Sequence, residues 1–142
     1  MSHYVGRVER GRRLLPDEED ATKLKFGEDF EDVVEVLFIS EAYLIMDKTK
    51  SQQNNTNTDV YRKTWEYVRK FGKFNNEDAV KDLRTTLVKH NLHKYELAQL
   101  VNLCPEELDE AKSLVPSLAR RFEDDEIRQM LEEIATLKKY QA

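Results

Sequence analysis

The sequence is poor in the residues that build cross-linked or turn-rich frameworks. One cysteine, Cys104, stands among 142 residues, so no disulfide can close within the chain. A lone thiol fits a reducing compartment, nuclear or cytosolic. Four glycines and three prolines are too few for a fold of many short strands and tight turns, and they favour helices. No apolar run approaches the roughly 20 residues that span a bilayer, so no membrane role is expected. The opening residues show no apolar signal core.

Catalytic patterns are missing as well. There is no phosphate-binding glycine loop, no nucleophile elbow and no paired acid and base. His3, His90 and His93 with Cys104 do not make the four N, S or O ligands of a zinc site. His93 reads as a partly exposed residue of a helix's first turn, and Cys104 as a small buried hydrophobe. The acidic run 123–126 lacks the alternating ligands and central glycine of a calcium loop, and fits a solvated helix N-terminus complementing the macrodipole. No catalytic residue, metal or cofactor is expected, and the chain is not expected to be an enzyme.

What is present is charge in opposed blocks. Residues 1–15 hold four arginines and one glutamate, and residues 16–35 hold nine acidic and two basic residues. Residues 59–142 are nearly neutral, with sixteen acidic and fifteen basic residues. The chain as a whole carries −5. Tight binding of nucleic acid by this chain alone would call for a basic stripe, and none is visible.

The apolar pattern divides the chain in four. Residues 1–23 form a charged arm expected to stay mobile in isolation. Residues 24–50 are richer. Leu24, Phe26 and Phe30 lead into a β-branched and aromatic run, extended around 36–39, with Ser40 as N-cap of a helix that includes Leu44 and Met46. One helix over 30–50 is an alternative. Residues 51–58 are polar throughout and read as a linker.

From Asp59 the spacing is helical. Tyr61, Trp65, Val68 and Phe71 share one face, with the helix ending near Gly72. Asn75 and Asn76 precede a helix carrying Val80, Leu83 and Leu87. Leu92 and His93 open the next, with Leu97, Leu100, Val101 and Cys104 on one face. Pro105 suits the first position of a short helix carrying Leu108, Ala111 and Val115, which Pro116 stops. Asp124 begins a last helix with Ile127, Met130, Leu131, Ile134 and Leu137 buried. Five helices over 59–142 make an all-α domain that should fold unaided. The first 50 residues should not, because one strand and one helix cannot bury their own apolar side chains. An extended segment with open edges invites another chain. A protein partner is therefore expected for the N-terminal third.

The stretch 92–118, LHKYELAQLVNLCPEELDEAKSLVPSL, closely resembles the family of fourth subunits of eukaryotic RNA polymerase II. So do 121–134 (RFEDDEIRQMLEEI), 19–30 (EDATKLKFGEDF) and 37–44 (LFISEAYL). The resemblance runs from about residue 18 to the C-terminus. Some fungal members carry a long charged insertion near 49–58, and this chain lacks it. The resemblance implies an all-α fold, with an HRDC-like helical bundle at 59–142 and an N-terminal partner-docking arm (a short extended segment plus a helix). It implies a non-catalytic, nuclear subunit that pairs 1:1 with the seventh subunit and forms the stalk near the RNA exit channel. Contacts with the polymerase core and transcription factors follow, as do roles in initiation and transcript fate, including travel to the cytoplasm.

On this reading the partner-binding residues are Leu24, Phe26, Phe30, Val36, Phe38, Ile39, Leu44 and Met46. An autonomous RNA-binding helical module is the rival. Its candidate weak contacts are Lys89, Lys94, Arg120 and Arg121, with Arg7, Arg10, Arg12 and Arg13 of the arm. Interleaved acidic residues make these an ordinary solvated surface, and RNA contact is expected to be weak or indirect. A homodimeric scaffold is the third reading.

Overall fold

Three of the helices begin at a residue whose side chain caps them. Asn76 accepts from the backbone N–H groups of Asp78 and Ala79 at 2.9 and 3.3 Å. His93 accepts at Nδ1 from the Tyr95 N–H at 3.1 Å, and Thr58 accepts from the Tyr61 N–H at 3.1 Å. Each satisfies a donor that the first helical turn leaves open.

The computed structural model describes residues 19–50 and 58–141. Among these residues the regular structure is helical, apart from one isolated antiparallel bridge between Asp20 and Lys25. The chain is all-α. A 3₁₀ turn at Ala21–Lys23 precedes α1 (Glu28–Asp32), α2 (Ile39–Thr49), α3 (Asp59–Phe71), α4 (Glu77–Val88), α5 (Lys94–Leu103), α6 (Leu108–Leu114), α7 (Leu118–Arg121) and α8 (Asp124–Tyr140).

Chain contacts divide the protein into two units, Met1–Glu35 and Val36–Ala142. The arm expected at 1–23 lies outside the described residues up to position 18, and the linker lies outside them at 51–57. In the first unit, Asp20 caps the 3₁₀ turn by accepting from the Thr22 N–H at 3.0 Å. The Thr22 hydroxyl also donates to Asp20, and this bond above all, with the N–H bond and the nearby Lys23, holds the Asp20 carboxyl below its ordinary range. Gly27 sits at φ 91°, a conformation that suits glycine, at the start of α1.

The second unit holds the core. Leu83 and Leu87 of α4, Leu100 and Val101 of α5, Ala111 and Val115 around α6, and Ile127, Met130 and Ile134 of α8 are buried together. These are the faces that the spacing predicts. α8 packs against α4 and α6, and α2 packs against α3 and α4. Gly72 ends α3 where chains crowd: a Cβ there would lie 2.9 Å from the Val68 carbonyl and 3.4 Å from the Ser40 hydroxyl. That packing needs glycine's bare Cα.

Several expectations are corrected. No strand forms at 36–39 among the described residues; the backbone over 34–38 is without regular structure and α2 begins at Ile39. Ser40 is not its N-cap. The Ser40 hydroxyl instead accepts from the Phe74 N–H at 2.9 Å, deep in the unit. The single helix over 30–50 is also absent. Pro105 precedes its helix by a turn, since α6 starts at Leu108. Phe71 turns outward rather than joining Val68. The short α7 follows Pro116 where no helix was expected.

Candidate partner-docking surface

None of the residues from 19 to 35 is fully buried. Leu24, Phe26 and Phe30 are partly buried, whereas Val33 is 75% and Val34 42% exposed. The Phe26 and Phe30 rings meet each other at 4.6 Å. Leu24 takes a left-handed backbone (φ 56°) at the end of the 3₁₀ turn, a conformation that costs a branched residue about 1 kcal/mol. Exposed apolar side chains such as Val33 and Val34 form a surface that water wets poorly.

The remaining candidates divide sharply. Leu37, between them in sequence, is 50% exposed. Phe38, expected on a partner surface, is 1% exposed and lies inside the core of the helical unit. The cause is a clamp that the sequence does not reveal. Arg84 of α4 donates to both Glu41 carboxylate oxygens, at 3.0 and 2.6 Å, and to the Val36 carbonyl at 3.1 Å. Its guanidinium lies 4.3 Å over the Phe38 ring. Glu41 in turn accepts from the Phe38 N–H at 2.7 Å, and Asn102 accepts from the Ile39 N–H at 2.9 Å. A planar guanidinium satisfies a carboxylate fork and an aromatic face at once. The start of α2 is thereby tied to α4, to α5 and, through Ser40, to the α3–α4 loop.

Val36 and Leu44 pack against the core, and Ile39 and Met46 are half buried. Ile45, which the candidate set omitted, is 49% exposed on α2. The Tyr43 ring stacks on Trp65 at 5.3 Å.

The candidate RNA contacts are largely occupied. Arg121 pairs with the buried Glu96 and donates to the Asn91 carbonyl at 3.1 Å. Lys89 lies 2.9 Å from Glu133, which also takes the buried His90 Nε2 at 2.9 Å. Burial alone would raise the Glu133 carboxyl, but the bonds from Lys89 and His90 outweigh it and hold the group below its ordinary range. Lys94 is half buried in the first turn of α5, and Arg120 is exposed. The four do not form an open basic face. The arm arginines Arg7, Arg10, Arg12 and Arg13 lie outside the described residues.

Other chemistry is sparse. Cys104 caps α5 in a left-handed conformation (φ 47°), its thiol donating to the Val101 carbonyl at 3.1 Å, and burial pushes the thiol up from its ordinary value. A thiol so placed is a poor nucleophile. Among the described residues, no three His, Cys, Asp or Glu side chains gather as a metal site, and no helix is long and apolar enough to cross a membrane.

Comparison with known proteins gives consistent relatives. Residues 15–138 match the family model described as RNA polymerase Rpb4. The chain is 36% identical to "DNA-directed RNA polymerase II subunit rpb4" of Dictyostelium discoideum, over 91% of this chain and 95% of that protein. It is 38% identical to the protein of the same name from Schizosaccharomyces pombe, over 87% and 95%. It is 34% identical to "DNA-directed RNA polymerase II subunit 4" of Arabidopsis thaliana, over 88% and 97%.

Proposed function

Because this chain belongs to the RNA polymerase Rpb4 family, we propose that it forms one half of the polymerase stalk, in a 1:1 heterodimer with the seventh subunit beside the RNA exit channel. The chain is a non-catalytic subunit of RNA polymerase II, with the polymerase core as partner and the nucleus as its site of action. In the proposed role its mechanism is assembly. The partner takes the apolar side chains of the N-terminal unit, and the helical unit, read as HRDC-like, offers its outer surface to transcription factors. Roles in initiation, in transcript fate and in travel to the cytoplasm would act through those contacts.

The observation that carries this reading is the exposed apolar pair Val33 and Val34, followed in sequence by the exposed Leu37. Each such side chain contributes roughly 1.5–3 kcal/mol when fully covered by a partner. Binding of RNA by the chain alone is the weaker reading, since Lys89 and Arg121 are already neutralised by glutamates.

The test is coexpression with the seventh subunit and measurement of mass and affinity. The double variant Val33→Asp with Leu37→Asp should keep its helical circular dichroism, both side chains being exposed, yet lose affinity about 100-fold. A heterodimer of normal affinity would sink the proposal.

A further inference from the structure

α3 carries a buried apolar face and, beside it, a row of exposed apolar side chains interrupted by Thr64. Tyr61, Trp65 and Val68 turn inward, toward α2. Val60, Thr64, Tyr67 and Phe71 recur at i, i+4, i+7 and i+11, a second stripe along the same helix. Val60 is 77% exposed, Tyr67 54% and Phe71 42%. The stripe is continuous at its C-terminal end, where the Tyr67 and Phe71 rings meet at 4.7 Å. Single exposed apolar residues need no explanation, but a row of them on one helix marks a contact surface.

The charge beside the stripe specifies what it contacts. The protein is acidic, at −5, yet residues 59–73 carry five basic and two acidic residues. One of the two, Asp59, is paired with Arg62. At helical spacing Lys63 and Lys70 border the stripe, and Glu66 falls away from it.

We propose that this outer face of α3 docks an acidic, amphipathic protein helix, whose apolar side chains meet Val60, Tyr67 and Phe71 and whose carboxylates meet Lys63 and Lys70. The surface lies on α3, a different element from the N-terminal residues assigned to the seventh subunit. Stacking of nucleic-acid bases fits it less well. Bases need an open ring face, whereas Tyr67 and Phe71 are inclined to each other at 46° and the Lys70 ammonium sits 5.4 Å over the Phe71 ring. Val60 has no ring to offer. A second copy of this chain also fits poorly, because a two-fold contact would set Lys63 and Lys70 against their own likeness.

The probe is a synthetic helical peptide of about 18 residues, five turns long, with Leu and Phe on one stripe and Glu and Asp elsewhere. Controls are its scrambled isomer, a counterpart with Lys and Arg for the acids, and a uridine oligonucleotide of about 15 nucleotides. Each is titrated into the isotope-labelled full chain. The acidic helix should shift backbone resonances of 59–73, and the shift should weaken as salt rises. Tyr67→Ala with Phe71→Ala should cut affinity about tenfold. Lys63→Glu with Lys70→Glu should reverse the preference toward the basic peptide, which keeps the test valid if the first variant unfolds. The proposal is overturned if the scrambled isomer binds equally, if the shifts fall outside α3, or if only the oligonucleotide binds.

Discussion

Glu96 is wholly buried and accepts at both of its carboxylate oxygens. The His93 N–H donates to it at 2.9 Å and the Ser117 hydroxyl at 2.6 Å, and the Arg121 guanidinium closes the set. A buried carboxylate is tolerable only while such partners remain. Removing the guanidinium in Arg121→Ala leaves the charge uncompensated and should cost about 3–5 kcal/mol, read as a lower midpoint in urea. Arg121→Lys should recover part of the loss, since it restores charge but not the second bond to the Asn91 carbonyl. Only the local half of this arrangement is legible in the sequence. His93 opening a helix, with Glu96 three residues on, is a capping pattern that short-range rules recognise. Ser117 and Arg121 lie 21 and 25 residues away, and nothing in their neighbours' spacing points back to Glu96. For the same reason Arg121 reads as a solvated cation until its partner is seen.

Single elements were legible where their stabilising contacts repeat along the helix. The buried stripes of α4, α5 and α8 come out as their spacing predicts, because i, i+3 and i+4 periodicity states directly which face is covered. The start of α2 was not legible. Val36, Phe38 and Ile39 favour a strand intrinsically, but that propensity is weak and tertiary contacts override it. Here the override is Arg84, 43 residues from Glu41. Such long-range ties between elements also set the pH dependence. Where α4 ends against α8, Lys89 and His90 both hold Glu133, whose carboxyl lies below its ordinary value of 4.5 when folded. The stabilisation from a depressed carboxyl is fully present above its unfolded value. It is lost as pH falls from about 4.5 through the lower folded value. Acid titration of the folding midpoint should therefore show a fall in that window, and Glu133→Gln should flatten it. An unchanged profile in the variant would mean that the bonds to Lys89 and His90 do not persist in solution.

The whole molecule parts at a place that local sequence hides. The polar run 51–58 suggests a boundary near residue 58, with a self-sufficient bundle after it. Contacts instead group Val36–Ala142 together, because Phe38 fills the core that α4, α5 and α8 leave open. Composition marks where a chain is polar; it does not say whether helices on either side of a polar stretch meet again. The difference is measurable by comparing two fragments, 36–142 and 59–142. The longer one should unfold cooperatively, with slow amide exchange through α2, α4 and α5. The shorter one lacks Phe38, and filling that position with nothing is at least as severe as Phe38→Ala, a loss of about 3–5 kcal/mol. It loses Ser40 and Glu41 as well, leaving the Phe74 N–H and Arg84 without their partners. Against a total stability of about 5–15 kcal/mol, that is enough to leave 59–142 loosely packed, with fast exchange and a broad thermal transition. If 59–142 unfolds as sharply as 36–142, α2 is an appendage of the bundle, and its apolar side chains are available to the seventh subunit after all.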